Sequence, residues 1–279
     1  MTDLDSFAEG TRRGGRLRYR EVTARIALGA SSLPGLDYAL NPYVGCGHDC
    51  VYCFAPAVLN ADRSRWGTDV GARTNLPRLL AKEVRGKAGV VGIGTVTDPY
   101  QPLEEDLKLT RKCLEVLLRA DLPISVLTKS ALVVRDIDLL ERFTKAEAGV
   151  TITTYDDGLA HQFEPGAPSP SARFRAVREL ASAGLDTYVM IGPVLPLVSD
   201  RDLEAFFAKI ASTGTRRVMV DRLRLRPGLT DQLHALTALG GDAAAMFDRL
   251  AESAEYFRDF CQKAGLQCAK HGLGLEKAF

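Results

Sequence analysis

The chain has 279 residues, 46% of them hydrophobic and 25% charged, and 36 basic against 35 acidic side chains leave a formal net charge of +1. These proportions belong to a globular protein with a sizeable core, and they exclude a disordered, collagenous or coiled-coil chain. Near-neutrality argues against a general nucleic-acid coat, whose non-specific affinity comes from Lys and Arg neutralising phosphates.

At the N-terminus, Met1-Thr2-Asp3-Leu4-Asp5 lacks the basic-then-apolar pattern of a secretory signal, so a cytoplasmic location is expected. Residues 1–36 read as an extension, with six arginines between Thr11 and Arg25 and the loop-like Ser31-Ser32-Leu33-Pro34-Gly35. The arginine run suits either phosphate contact or a solvated, salt-bridged face.

From residue 37 onward short apolar runs alternate with stretches of helical period. Strands are predicted at 38–40, 90–94, 124–128, 150–154, 187–191 and 217–221, and helices near 74–86, 103–119, 135–146, 169–183 and 200–212. Six strands with five intervening helices spell a parallel sheet, because parallel neighbours need a crossover of that length. Asp200 reads as the cap of the fifth helix and Gly184 as the left-handed stop of the fourth. The most apolar stretch, 189–198, is interrupted by Gly192, Pro193 and Pro196, far short of the roughly 18 residues of a membrane span, so no membrane partner is expected. A last helix near 243–264 carries Met246, Leu250, Tyr256, Phe257 and Phe260 as a core-facing stripe. Three segments result: an extension over 1–36, the alternating unit over 37–228, and a helical region over 229–279.

Six cysteines are unevenly spread. Cys46, Cys50 and Cys53 lie within eight residues, directly after the first predicted strand, in a loop loosened by Gly45 and Gly47, whereas Cys113, Cys261 and Cys268 are scattered. In a reducing compartment so tight a cluster reads as metal ligation or redox chemistry. Three close thiolates suit three corners of an iron-sulfur cube. A ferredoxin-type site completed by one of the other cysteines, or zinc completed by His48, are the competing arrangements. The first has a gap one residue longer, and the second asks a histidine inside the ligand loop to reach the same ion.

The spacing Cys46-x3-Cys50-x2-Cys53, with Tyr52 before the last cysteine, resembles the signature of the radical S-adenosylmethionine (SAM) superfamily. The wording Asn41-Pro42-Tyr43-x-Gly45-Cys46-x-His48-x-Cys50-x-Tyr52-Cys53 is similar to the branch that contains spore photoproduct lyase and relatives of unknown substrate. So are the runs from Thr97-Asp98-Pro99-Tyr100-Gln101-Pro102-Leu103-Glu104, from Leu127-Thr128-Lys129-Ser130, and from Glu164-Pro165 to Pro170.

The resemblance implies an α/β fold, a partial (β/α)6 TIM-like barrel with an N-terminal extension and a C-terminal helical cover, and a [4Fe-4S] cluster at the carboxyl end of its strands. It implies that SAM is cleaved there to a 5′-deoxyadenosyl radical that abstracts hydrogen from a substrate. Cys46, Cys50 and Cys53 would hold the cluster. Tyr52, Thr97, Asp98, Lys129 and Thr153 would bind SAM. Tyr100, Glu104 and Arg222, at strand ends or in the loops after them, are the candidates to act on substrate, with Gln101 and Glu164 beside them as possible cavity lining. Cys113 suits a helix core, and Cys261 and Cys268 are candidates to cover the barrel mouth and return a hydrogen atom. A reductant such as flavodoxin or ferredoxin and a substrate that is a small molecule, a peptide or a nucleic acid are the implied partners.

The chain departs from the lyase in having no cysteine in Gly94-Thr95-Val96-Thr97, where the lyase carries its hydrogen donor. A different substrate is therefore expected. DNA photoproduct repair, supported only by the arginine-rich segments 12–25 and 216–226, is the alternative enzymatic reading, and an iron-sulfur electron carrier the non-enzymatic one.

Overall fold

The computed structural model describes residues 8–12, 15–226, 229–236 and 242–278. The first strands, β1 (Ala8–Arg12), β2 (Gly15–Glu21) and β3 (Gly29–Ala30), precede the first strand of the barrel, β4 (Tyr38–Leu40). After β5 (Tyr43–Val44) come α1 (Ala55–Val58), β6 (Asp69–Ala72), α2 (Leu76–Glu83) and β7 (Val91–Ile93). Helices α3 (Glu104–Leu107) and α4 (Leu109–Ala120) lead to β8 (Ile124–Thr128), and a 3-10 turn over Ala131–Asp136 with α5 (Ile137–Leu140) leads to β9 (Ala146–Thr151). Then follow α6 (Asp157–Phe163), α7 (Pro170–Ser182), β10 (Asp186–Val194), α8 (Leu203–Ala211) and β11 (Arg217–Arg222). The chain continues through α9 (Leu229–His234), α10 (Asp242–Glu252) and α11 (Ala254–His271) to β12 (Gly274–Lys277).

One eight-stranded sheet runs in the order β12-β11-β10-β9-β8-β7-β4-β3. All its pairings are parallel except that of β3 with β4. Its two ends do not meet, so this is an open, partial barrel. The six expected strands are its middle, in chain order, each joined to the next by a helical crossover. Two edge strands had no local signal, and they tie the outer segments to the barrel: β3 belongs to the 1–36 stretch and β12 to the 229–279 stretch. Helices α2, α4, α7, α8 and α11 bury their apolar faces on the sheet. Val91, Val126, Val150, Val189 and Val218 of the strands meet Leu80, Leu117, Leu180, Phe207 and Phe260 of the helices.

A second sheet, β1-β2-β6-β5, stands against the first barrel loops. Arg18 and Arg20 alternate with Leu17 and Tyr19 along β2, and Leu17 turns inward onto Tyr43, Val70 and Leu103, as the two-residue period of a strand dictates. Helices α9 and α10 close the mouth: Leu229, Leu233 and Phe247 pack with Cys50, Tyr52, Phe163 and Leu195. Among the described residues no helix is long and apolar enough to cross a membrane.

Several boundaries differ from the expected ones. The third helix becomes a 3-10 turn and a four-residue α5. β9 starts at Ala146, four residues before the expected 150, and Thr153 lies beyond its end. Asp202, not Asp200, caps α8, its Oδ1 accepting from the Ala205 N–H at 2.9 Å, while Asp200 accepts from the Tyr256 hydroxyl at 2.8 Å. Gly184 does end α7, at φ +79°.

Candidate functional site

The loop over 45–54 leaves β5 at the carboxyl edge of the barrel. Gly45 has φ +88°, and a Cβ there would stand 2.8 Å from the Asp69 carbonyl oxygen, so glycine alone lets the loop run this close to β6. Cys46 and Cys50 are buried and Cys53 half-buried. Burial pushes all three thiols up, that of Cys50 to about 12 against the opposing pull of Lys129. Cys46 senses the charge of both other cysteines, and Cys50 that of Cys53. Among the described residues no three His, Cys, Asp or Glu side chains gather around one point, as ligands of a single zinc ion would at about 2.0–2.3 Å. A cube that takes one sulfur per corner requires no such convergence, and three neighbouring thiols on a glycine-loosened loop fit it. The buried His48 is engaged elsewhere, its Nδ1 3.2 Å from Asp98 Oδ2.

Asp98, just past β7, is a hub. Its Oδ1 accepts from Thr128 Oγ1 at 2.6 Å and from the Tyr100 N–H at 2.9 Å, and its Oδ2 accepts from the Lys129 N–H at 2.7 Å beside His48. Burial alone would raise this carboxyl, but His48, Thr128 and Lys129 hold it down at about 2. Three hydrogen bonds and the neighbouring His48 ring surround its oxygens, so it positions the start of the loop carrying Lys129. Thr97 likewise turns its hydroxyl to the Gly45 carbonyl, at 2.6 Å.

Lys129 Nζ lies 5.5 Å from the centroid of the Tyr52 ring, a cation over an aromatic face. The Tyr52 hydroxyl donates to Glu164 Oε1, which also accepts from Thr153 Oγ1 at 3.2 Å. Glu164 Oε2 pairs at 2.5 Å with Arg173, whose Nε and Nη1 donate to the Pro168 and Thr151 carbonyls at 2.8 and 3.1 Å. Burial would raise the Glu164 carboxyl, yet Arg173 and Lys129 hold it below its ordinary value. Tyr52, Lys129 and Thr153, expected to share a cofactor, are thus brought together around one buried carboxylate.

The three residues expected to act on substrate are not brought together. Glu104 is fully buried. Its oxygens accept from the Tyr43 hydroxyl at 2.6 Å, the Thr110 and Arg111 N–H groups at 2.8 and 3.2 Å, and Arg135 Nη2 at 2.7 Å, so it caps α4. The Tyr100 ring packs in the main core, with the Arg135 guanidinium 5.9 Å from its centroid. Arg222 donates to the Glu252 carbonyl at 2.5 Å, at the end of α10, on the rim of a cleft of about 510 Å³ shared with Leu223, Arg224 and Phe257. Cys261 and Cys268 face the main core from α11 rather than the mouth, and Cys113 is buried in α4 as expected.

Two arginines, one bonded to the loop and one to Glu164 beneath Tyr52, had no local signal. Arg63 Nη2 donates to the Cys50 carbonyl at 2.9 Å while its Nε donates to Gln232 Oε1 of α9 at 2.8 Å. Arg173 reads in sequence as one more polar residue of an amphipathic helix. The alternation of that helix, which turns Phe174 and Val177 inward, was the only hint that 173 is buried too.

Comparison with known proteins follows the same outline. The family described as the Radical SAM superfamily matches residues 40–210. An uncharacterized protein of Methanocaldococcus jannaschii is 36% identical over 183 residues, covering 64% of this chain and 69% of its own length. An uncharacterized protein of Mycobacterium tuberculosis is 34% identical over 226 residues, 75% of this chain and 66% of its own. A protein of Pseudomonas phage M6 named radical SAM Nalpha-GlyT isomerase is 26% identical over 202 residues, and the match spans 42% of its length. Among solved structures, spore photoproduct lyase complexed with dinucleoside spore photoproduct superposes with a TM-score of 0.72 at 16% identity, covering 94% of this chain and 82% of the lyase, a likeness of fold.

Proposed function

Because the chain belongs to the radical SAM superfamily, we propose that Cys46, Cys50 and Cys53 hold a [4Fe-4S] cluster and that SAM occupies the remaining corner. Bound together, the two supply reductive cleavage of the sulfonium and a 5′-deoxyadenosyl radical that takes a hydrogen atom from substrate. The observation that carries the reading is the fate of the cysteines: three share one loop at the carboxyl edge of the strands, and the other three are packed into α4 and α11. A cube held by that loop therefore keeps one corner for an exogenous ligand.

The chain's own residues then have distinct tasks. Lys129, fixed through its backbone by Asp98, offers a point charge for the carboxylate of SAM. Tyr52, anchored through its hydroxyl by Glu164, supplies an aromatic surface for adenine, and Thr153 a hydroxyl beside it. Helices α9 and α10 exclude water from the Cys50 and Tyr52 side of the loop. A one-electron donor of the flavodoxin or ferredoxin kind completes the system. The repair reading gains little, since Arg222 is occupied as a helix cap and no thiol lies in 94–97.

Anaerobic reconstitution with iron and sulfide, followed by dithionite and SAM, tests the proposal. The expected result is 5′-deoxyadenosine release that disappears in Cys46→Ala, Cys50→Ala and Cys53→Ala. Lys129→Met is expected to raise the KM for SAM by about 10- to 100-fold, the value of one charged hydrogen bond of roughly 1.5–3 kcal/mol. Iron uptake with no nucleoside release would instead assign an electron carrier.

A further inference from the structure

The groups that hold Cys46 come from another part of the chain. Gln101, fully buried in the turn between β7 and α3, spans the cysteine from both sides: its Oε1 accepts from the Gly47 N–H at 2.8 Å and its Nε2 donates to the Gly45 carbonyl at 3.3 Å. Thr97 Oγ1 donates to the same carbonyl at 2.6 Å and lies 3.3 Å from the Gln101 amide nitrogen. We infer that Gln101, assisted by Thr97, is a positioning residue that sets Cys46 for cluster binding by fixing the two peptide groups that flank it. The inference rests on the proposed cluster and assigns no contact with it.

The physical case has three parts. A loop with no ladder leaves its buried N–H and C=O groups in need of partners, and a primary amide is a neutral group whose adjacent oxygen and nitrogen accept and donate side by side in one plane. Glutamine has the reach here. Asparagine is one methylene short, and glutamate can only accept, which would leave the donation to Gly45 to Thr97 alone. Second, the site cannot relax by sliding. Gly45 abuts the Asp69 carbonyl, Gly47 lies against Leu17 and Pro102, and Gly166 leaves no room for a Cβ beside the Gly47 carbonyl. Third, the anchor is itself held, since the Gln101 N–H donates to the Asp98 carbonyl at 3.4 Å and its carbonyl accepts from the Glu104 N–H at 2.9 Å. The side chain of Cys46 therefore leaves a backbone pinned on both sides by a residue 54 and 56 positions away from the two glycines. A glutamine at this place would pass in sequence for cavity lining.

The experiment has a metal-free and a metal-loaded arm, each comparing wild type, Gln101→Met, Gln101→Asn and Thr97→Val. In the apo protein, peptide-resolved alkylation under native conditions reads the labelling rates of Cys46 and of Cys113, a core thiol that reports on the fold. Gln101→Met is expected to label Cys46 at least about 10-fold faster with Cys113 unchanged, and Thr97→Val to act in the same direction by less. After anaerobic reconstitution, removal of iron by a chelator is expected to accelerate by about 10- to 100-fold in Gln101→Met, the span typical of lost outer-sphere partners, with a changed electron paramagnetic resonance signal. Gln101→Asn should lie between Gln101→Met and wild type in both arms. Cys46 labelling and cluster retention both at wild-type values in Gln101→Met would overturn the inference. If that variant labels Cys113 as well and so has lost its fold, Gln101→Asn and Thr97→Val decide: unchanged Cys46 rates in both overturn it. A wild type that takes up no iron sinks the cluster reading, while the alkylation arm still judges the latch.

Discussion

Arg173 and Glu164 form an ion pair whose side chains are 1% and 0% exposed, and the arginine's other donors go to backbone carbonyls. A buried charge is tolerable only when paired and hydrogen-bonded, so removing one partner strands the other. Arg173→Met is expected to lower unfolding stability by about 3–5 kcal/mol in urea titrations, and the double variant with Glu164→Gln by less than the sum of the two single changes. Tyr52→Phe removes only a hydroxyl donated to the same carboxylate, and a loss of about 1–2 kcal/mol is expected. The same residues mark where local reading stops. Cys46, Cys50 and Cys53 are legible because their spacing lies within one loop. Arg173 has unremarkable neighbours in sequence, and Asp98 and Gln101, although their run Thr97–Glu104 stands out, take the roles seen here from partners many residues away.

Helix α4 illustrates how elements end on unusual residues. Lys108 at its start and Asp121 at its end are both left-handed, at φ 52° and 45°, where a side chain costs about 1–2 kcal/mol and glycine nothing. Lys108→Gly is expected to stabilise the fold by about 0.5–1 kcal/mol. Asp121→Gly is expected to destabilise it, because Asp121 accepts from the Thr144 N–H and hydroxyl at 3.0 and 2.6 Å and those bonds outweigh the relief. Chemical denaturation of the pair reads both signs. Strand β8, Ile-Ser-Val-Leu-Thr, announced itself through β-branched residues. Strand β9 begins with Ala-Glu-Ala-Gly, a poor strand sequence that is extended because it is paired on both sides and because Gly149 makes room for the Tyr188 ring. The edge strands β3 and β12 are short and take their shape from the neighbour they pair with.

At the scale of the molecule the partial barrel, its six central strands and its loop of cysteines were readable, because a repeated strand-helix alternation admits few topologies. The N-terminal sheet was not, since half of the residues of β1 and β2 are Gly or Arg and the two strands are completed by β6, some 50 residues further on. Nor was the way α9 and α10 seat on the cysteine loop, with Phe247 fully buried among Cys50, Tyr52 and Phe163. Phe247→Ala is expected to loosen this lid before the barrel. Hydrogen exchange should rise in α9 and α10 and stay slow in β8 to β10, and a reconstituted cluster should bleach faster in air.

Arg63 grips the Cys50 carbonyl with one nitrogen and Gln232 with another. With the proposed cluster bound, thermodynamic reciprocity would join the two ends of that contact: to the extent that metal steadies the Cys50 turn and with it α9, whatever steadies α9 would tighten the hold on metal by the same factor.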